Sequence, residues 1–179
     1  SSEANAVAKT QISSAYISDV IYFTSKISSM LSLRVDHFSG KPVYWTDSEI
    51  KSQTSLSPKF GLVYQPIVNK LSLFANYLNG FTNLAPVQVS DAQGNNPSLK
   101  ILKPEHANQW ELGTKANIAQ NKISVTASYY YILVSNKAMS DPQNINNTIQ
   151  GGEVESKGFE ISLVSNPIHG LSLLTGFSH

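Results

Sequence analysis

The feature that most constrains this fold is an alternation of polar and apolar residues, which recurs in short segments along the whole chain. Because successive side chains of a β-strand point to opposite faces, each such segment predicts a strand with one apolar and one polar face. About eight strands are predicted, at residues 10–23, 30–39, 52–65, 70–81, 106–118, 122–135, 153–165 and 171–179. The alternation therefore predicts an all-β fold.

The lengths of the connections between these segments predict how the strands are arranged. Short connections, at residues 24–29, 66–69, 119–121 and 166–170, alternate with long ones, at residues 40–51, 82–105 and 136–152. An antiparallel up-and-down meander gives this order when one rim has tight turns and the other has longer loops. Transmembrane β-barrels have this asymmetry. We therefore expect the four short connections to lie together at one rim of the sheet.

The charged residues follow the same alternation. The predicted strands place them on the face opposite the apolar stripe, at Arg34, Asp36, Glu111, Lys115 and Glu160. If the sheet belongs to a transmembrane barrel, the apolar face contacts lipid, and we expect it to include Leu33, Leu112, Val125 and Ile161. A soluble antiparallel sheet with one solvated face produces the same pattern. The alternation alone thus leaves open a soluble or cell-surface β-sandwich ligand-binding module.

Composition narrows the possible functions. Charged residues make up 14% of the 179 residues, against about 25% in typical soluble proteins. The formal net charge is +1, so nothing indicates a nucleic-acid partner. Cysteine is absent, which removes disulfides and thiolate metal sites. No apolar run of about 18 residues predicts a transmembrane helix, whereas a barrel strand needs only about 9–11 residues.

Residues with catalytic or metal-binding potential are sparse. The four histidines are isolated in sequence, and none has a partner at the spacing of a metal site. No catalytic residue, metal ligand or cofactor site is predicted, and we do not expect an enzyme.

Candidate ligand-binding residues lie instead in or beside the long connections. Tyr44 and Trp45 form an aromatic pair in the first of them, and Phe81 and Asn83 flank the start of the second. Aromatic surfaces with a few polar groups suit a bulky ligand. The alternative for Tyr44 and Trp45 is that they pack the loop or belong to an aromatic girdle at a membrane interface.

Several sequence blocks resemble the β-barrel of TonB-dependent ferric-siderophore receptors, the ferrichrome-type receptors in particular. The blocks are SPKFGLVYQP at 57–66, LSLFANYLNGFTNLAP at 71–86, LKPEHANQWELGTKAN at 102–117, GGEVESKGFEISLVSNP at 151–167 and GLSLLTGF at 170–177. The patterns PE-x4-WE-x-G-x-K at 104–115 and SKG-x-E at 156–160 carry most of the resemblance when they occur together. The similarity extends from about residue 16 to the last residue.

The resemblance implies a barrel of about 22 strands with a plugged lumen, located in the outer membrane of a Gram-negative-type bacterium. It implies a ferric siderophore as the external ligand, outer-membrane lipid around the barrel, and coupling to the TonB complex through an N-terminal part. Residues 1–179 are then expected to be a partial barrel domain, without the plug and the coupling box. The resemblance thus implies a segment of an active transporter, with the function belonging to the whole receptor.

Overall fold

The computed structural model describes residues 9–41, 51–84, 87–91, 93–96, 98–145 and 147–179. These residues form ten β-strands: β1 Lys9–Tyr22, β2 Ile27–Lys41, β3 Lys51–Ile67, β4 Leu71–Thr82, β5 Val87–Val89, β6 Ser98–Lys100, β7 Glu105–Ile118, β8 Ile123–Ser140, β9 Thr148–Ile168 and β10 Leu171–Ser178. Within the described ranges no helix is long and apolar enough to cross a membrane.

Eight of the strands form one antiparallel sheet, in the order β1-β2-β3-β4-β7-β8-β9-β10, and the short β5 and β6 pair with each other. Because all neighbours are antiparallel, the β1–β2, β3–β4, β7–β8 and β9–β10 turns lie at one edge of the meander, here called the short-turn rim. Backbone hydrogen bonds join successive turns, from Gln65 N–H to the Lys26 carbonyl and from Asn117 N–H to the Lys70 carbonyl, both at 2.7 Å. The predicted meander and the common rim of the short connections are confirmed.

The strand register places the predicted apolar residues and the predicted charged residues on opposite faces. Leu112 lies opposite Ala75 and Tyr129, and Ile161 lies opposite Ala127 and Phe177. This apolar side, the outer face, also contains Leu33 and Val125, as predicted. The other side, the inner face, contains all five charged residues expected there: Arg34, Asp36, Glu111, Lys115 and Glu160.

The outer face has no packing partner among the described residues. Leu112 is 62% exposed, Trp110 is 57% exposed and Ile161 is 45% exposed, whereas Leu102, in a loop, is the one fully buried hydrophobic residue of the described ranges. A β-sandwich would bury one face of this sheet against a second sheet. The exposed apolar face is what a lipid-facing barrel wall requires, and it argues against the sandwich alternative.

Two aromatic residues of the inner face each lie over a glycine. Phe74 pairs with Gly113, and a Cβ built at Gly113 would collide with the tip of the Phe74 ring. Tyr130 pairs with Gly158, where a Cβ would lie 2.9 Å from the Tyr130 hydroxyl. The glycines of the WE-x-G-x-K and SKG-x-E patterns therefore provide space for aromatic rings of the neighbouring strand.

Strands β8 and β9 are longer than the alternation predicts. The sequence suggests that they end at residue 135 and begin at residue 153, but pairing continues to Ser140 and Thr148. The register shifts between Val134 and Lys137, and Asn136 has a φ of 57°. A bulge places two residues opposite one and reverses the in/out order. The alternation is therefore lost at the bulge although the strands continue.

Candidate functional site at the loop rim

The strand ends that the long connections join lie at the opposite edge of the meander, here called the loop rim. The longest of these connections, between β4 and β7, contains the β5–β6 hairpin. Asp91 organises the tip of this hairpin, because its Oδ1 accepts hydrogen bonds from the backbone N–H groups of Gln93 (3.1 Å) and Asn95 (2.6 Å). The Asn96 side chain donates to Oδ2 at 3.1 Å. Asp, Asn and Gly are typical turn residues, and here the Asp91 carboxylate holds the turn.

The hairpin is fastened to the β8–β9 connection by asparagine side chains. Asn147 brackets the backbone of Ser90: its Oδ1 accepts from the Ser90 N–H at 2.8 Å, and its Nδ2 donates to the Ser90 carbonyl at 2.6 Å. Asn144 Nδ2 donates to the Asp91 carbonyl at 3.0 Å. Two long connections that are far apart in sequence thus form one hydrogen-bonded unit.

Residues 101–104, here called the strap, return the chain from the hairpin to β7 and are held by amide side chains of three strands. Gln150 of β9 accepts from the Lys103 N–H at 2.8 Å and donates to the Lys103 carbonyl at 2.6 Å. Gln53 of β3 donates to the Leu102 carbonyl at 2.8 Å. Asn136 of β8 donates to the Pro104 carbonyl at 3.4 Å. With Leu102 only 2% exposed, the strap is fixed rather than loose.

The strap is followed by Glu105, the first residue of β7, whose carboxylate contacts β8. Glu105 is thirteen residues from the short-turn end of β7 at Ile118, beyond the roughly 9–11 residues that cross a bilayer. The Ala138 N–H donates to its carboxylate at 3.0 Å, and Lys137 Nζ lies 3.4 Å away. The Ala138 N–H, together with the Lys137 charge, lowers the pKa of Glu105 below its usual value. Glu105 is therefore ionised at neutral pH.

A cavity of about 390 Å³ opens between the hairpin and the β8–β9 connection. Its lining combines two carboxylates, a lysine and neutral hydrogen-bonding side chains, and includes Asp91, Asn96, Lys100, Asp141 and Asn147. Such a lining can bind a polar ligand by hydrogen bonds. Across the described ranges, no group of three His, Cys, Asp or Glu residues is placed to hold a metal ion.

The structure locates only some of the predicted ligand residues. Tyr44 and Trp45 lie outside the described residues. Phe81 is half-buried, with its ring edge-on to Phe38 (centroids 5.4 Å apart) and 6.5 Å from His106. Asn83 is also half-buried. Their part in ligand binding stays a prediction, and Phe81 has a packing role in addition.

The residues that build the loop rim were not singled out by sequence reasoning. Their side chains are neutral amides that belong to no sequence motif, and their hydrogen-bond partners are 14 to 57 residues away. The residues are Gln53, Asn136, Asn147 and Gln150. The available signal was compositional, since residues 93–96 and 143–150 are rich in asparagine and glutamine. An amide can bracket a peptide group by donating and accepting at once.

A polar cluster around Asp36 lies on the inner face near the loop rim. Asp36 is fully buried, and its Oδ1 accepts hydrogen bonds from Ser14 Oγ at 2.5 Å and Arg34 Nη2 at 2.7 Å. Its Oδ2 has no hydrogen-bond partner among the described residues, and neither does Ser55 Oγ on the adjacent strand. The inner face is therefore polar here and has side-chain oxygen atoms without a hydrogen-bond partner among the described residues.

Comparison with known proteins identifies relatives along the whole chain. The family described as "TonB dependent receptor-like, beta-barrel" matches residues 2–179. The metal-pseudopaline receptor CntO of Pseudomonas aeruginosa is 23% identical over 173 residues, covering 91% of this chain and 23% of the receptor. A probable TonB-dependent siderophore receptor, PiuA of Acinetobacter baumannii, is 26% identical over 168 residues, covering 87% of this chain and 22% of the receptor.

A solved receptor structure has a fold similar to that of this chain. The ferripyoverdine receptor of the outer membrane of Pseudomonas aeruginosa superposes with a TM-score of 0.74 at 20% identity, covering 97% of this chain and 23% of the receptor. At this identity the likeness establishes the fold alone. The chain spans about a quarter of the length of these relatives.

Proposed function

Since this chain belongs to the TonB-dependent receptor-like β-barrel family, we propose that it forms part of the barrel wall of an outer-membrane transporter that takes up a ferric siderophore. The observation that supports this most directly is the division of the sheet into an exposed apolar face and a polar inner face. Lipid would contact the first, and the ligand path would follow the second.

The loop rim is the proposed ligand-facing side. Its hairpin and strap are held by hydrogen bonds to β3, β8 and β9. A binding surface with few loose groups loses little conformational entropy when a ligand binds. The aromatic residues Tyr44, Trp45 and Phe81, with Asn83, are the proposed contacts for the chelate, because rigid rings provide a large contact area.

The TonB complex is the proposed energy-coupling partner of the full receptor, and the outer membrane is its proposed location. Both follow from membership of the family and not from a feature of residues 1–179. Relatives include receptors named for pyoverdine and for catecholate siderophores. The proposal is therefore limited to the class of ferric siderophores.

The test is uptake by the full-length receptor in cells that lack other siderophore receptors. Growth on a ferric siderophore under iron limitation, abolished when the TonB complex is removed, is the expected result. Tyr44→Ala combined with Trp45→Ala should weaken ferric-siderophore binding about tenfold or more, which corresponds to at least about 1.4 kcal/mol.

His169→Ala, in the β9–β10 turn at the short-turn rim, is the matched control and should leave binding unchanged. If the double variant binds normally but loses the heat-modifiable mobility of a folded barrel, Tyr44 and Trp45 have a structural role. If the intact receptor transports no ferric siderophore of any class, the proposed function is wrong.

A further inference from the structure

The outer face contains a groove whose apolar lining includes one carboxylate. A cavity of about 410 Å³ lies across β1, β2 and β3. Its outer-face lining comprises five apolar residues and one carboxylate, at Ile17, Leu31, Leu33, Pro58, Phe60 and Asp19. The inner-face residues Ser18, Ser32 and Lys59 of the same strands complete the lining. Asp19 pairs with Leu31, which pairs with Phe60, so the carboxylate is in the same row as two large apolar side chains.

Charged residues are few on this face, and Glu155, which the register also places there, is paired with Lys157 at 2.7 Å. The apolar neighbours are open to the surroundings: Ile17 is 72% exposed, Leu31 48% and Leu33 41%. A charged side chain on the lipid side of a barrel is destabilising unless it is near the interface or is compensated. The Asp19 Oδ1 accepts a hydrogen bond from the adjacent Val20 N–H at 2.8 Å, which satisfies part of the carboxylate and leaves its charge in place.

Asp19 lies at the depth in the membrane at which lipid headgroups are expected. Asp19 lies three residues before the end of β1, and Tyr64, on the same face, lies three residues before the end of β3. Both are therefore about 7 Å from their turns, at roughly 2.4 Å of depth per residue for a strand tilted by about 45°. Tyrosine marks the membrane interface in barrels. Asp19 is also at the end of the groove nearest the short-turn rim.

We propose that this groove is a specific site for a phospholipid with a primary-amine headgroup. The ammonium group would pair with the Asp19 carboxylate at the interface. One acyl chain would extend toward the middle of the membrane across the next row of residues, formed by Ile17, Leu33 and Pro58. A small cation would neutralise the carboxylate but would leave the groove unfilled. An anionic lipid would fit the groove but would be repelled by the carboxylate. The inference rests on the proposed membrane location of the outer face.

The experiment is native mass spectrometry of the purified full-length receptor, titrated with phosphatidylethanolamine or phosphatidylglycerol that carry the same acyl chains. The wild-type receptor should bind phosphatidylethanolamine roughly threefold to tenfold more tightly, as expected for one partly solvated ion pair. Asp19→Asn should remove this preference. Glu160→Gln, the same change on the inner face, should preserve it.

A second variant tests the groove itself. Leu33→Trp fills the space between Ile17 and Pro58 and should reduce the number of tightly bound phosphatidylethanolamine molecules by one while leaving Asp19 in place. Equal affinity for the two lipids in the wild type, or a preference that survives Asp19→Asn, would overturn the proposal. So would full occupancy in Leu33→Trp.

Heat-modifiable mobility and ferric-siderophore uptake, measured on the same variants, separate this inference from the proposed function. A receptor that folds and transports but shows no lipid preference refutes the lipid site alone. A wild-type receptor that does not insert into membranes refutes the location on which both depend.

Discussion

Replacing Ile161 with arginine should destabilise the membrane-inserted receptor far more than the same replacement at the next residue, Ser162. The two positions are on the same strand and differ only in the face that they occupy. Ile161 is 45% exposed on the outer face, opposite Ala127 and Phe177. Ser162 is on the inner face, opposite Thr126 and Gly176.

The expected magnitude follows from depth. Ile161 is seven residues from the end of β9 at Ile168, or about 17 Å along the membrane normal for a strand tilted by about 45°. The interface, marked by Tyr64, is about 7 Å from the same rim, so Ile161 is roughly 10 Å inside an apolar band about 25 Å tall. This is close to the midplane, where arginine costs about 2–4 kcal/mol.

The assay is a reversible denaturant titration of the full-length receptor in lipid vesicles, comparing the free energy of unfolding of both variants with that of the wild type. Ser162→Arg should change it by less than about 1 kcal/mol, because the new side chain reaches the polar inner side, near Glu160. Equal destabilisation by the two variants would show that the faces are not lipid and water, and the two-faced assignment would fail.

Three further predictions concern packing, the strap and pH. Gly113→Ala should lower the free energy of unfolding by about 1–3 kcal/mol in the same titration because its Cβ meets an aromatic ring, while Gly80→Ala, with open space around it, should have little effect. Gln150→Ala should speed hydrogen exchange at the Lys103 amide, which loses its acceptor; unchanged exchange would mean that the strap is held elsewhere. Because the pKa of Glu105 is lowered in the folded state, its contribution to stability is present above the usual glutamate value of about 4.3 and is lost as the pH falls through the lowered value. Protection of the Ala138 amide, measured as the exchange rate relative to the intrinsic rate at the same pH, should therefore fall in acid, and Glu105→Gln should remove this pH dependence.

The sequence by itself determined the strands, their order and their two faces. This was possible because a hydrogen-bonded meander between nearest neighbours repeats one local rule, the alternation of side chains, and because the turns reveal the rims through their length. Leu112 and Glu111 could be assigned to opposite faces from their neighbours in sequence alone. The strand lengths were predicted incorrectly for a local reason. The bulge near Asn136 reversed the alternation, so β8 and β9 were predicted too short.

Only the tertiary structure decided how the loop rim is held and where the outer face has a groove. The amide contacts of Gln53 and Gln150 with the strap join residues 49 and 47 positions apart, and a neutral amide gives no sign in the sequence of the peptide group that it will bracket. The register of β1 with β2 places Asp19 beside apolar residues of the outer face, in a groove that spans three strands. Local alternation is written into every pair of adjacent residues, whereas contacts between distant segments depend on strand register and loop path, which arise only when the whole sheet forms.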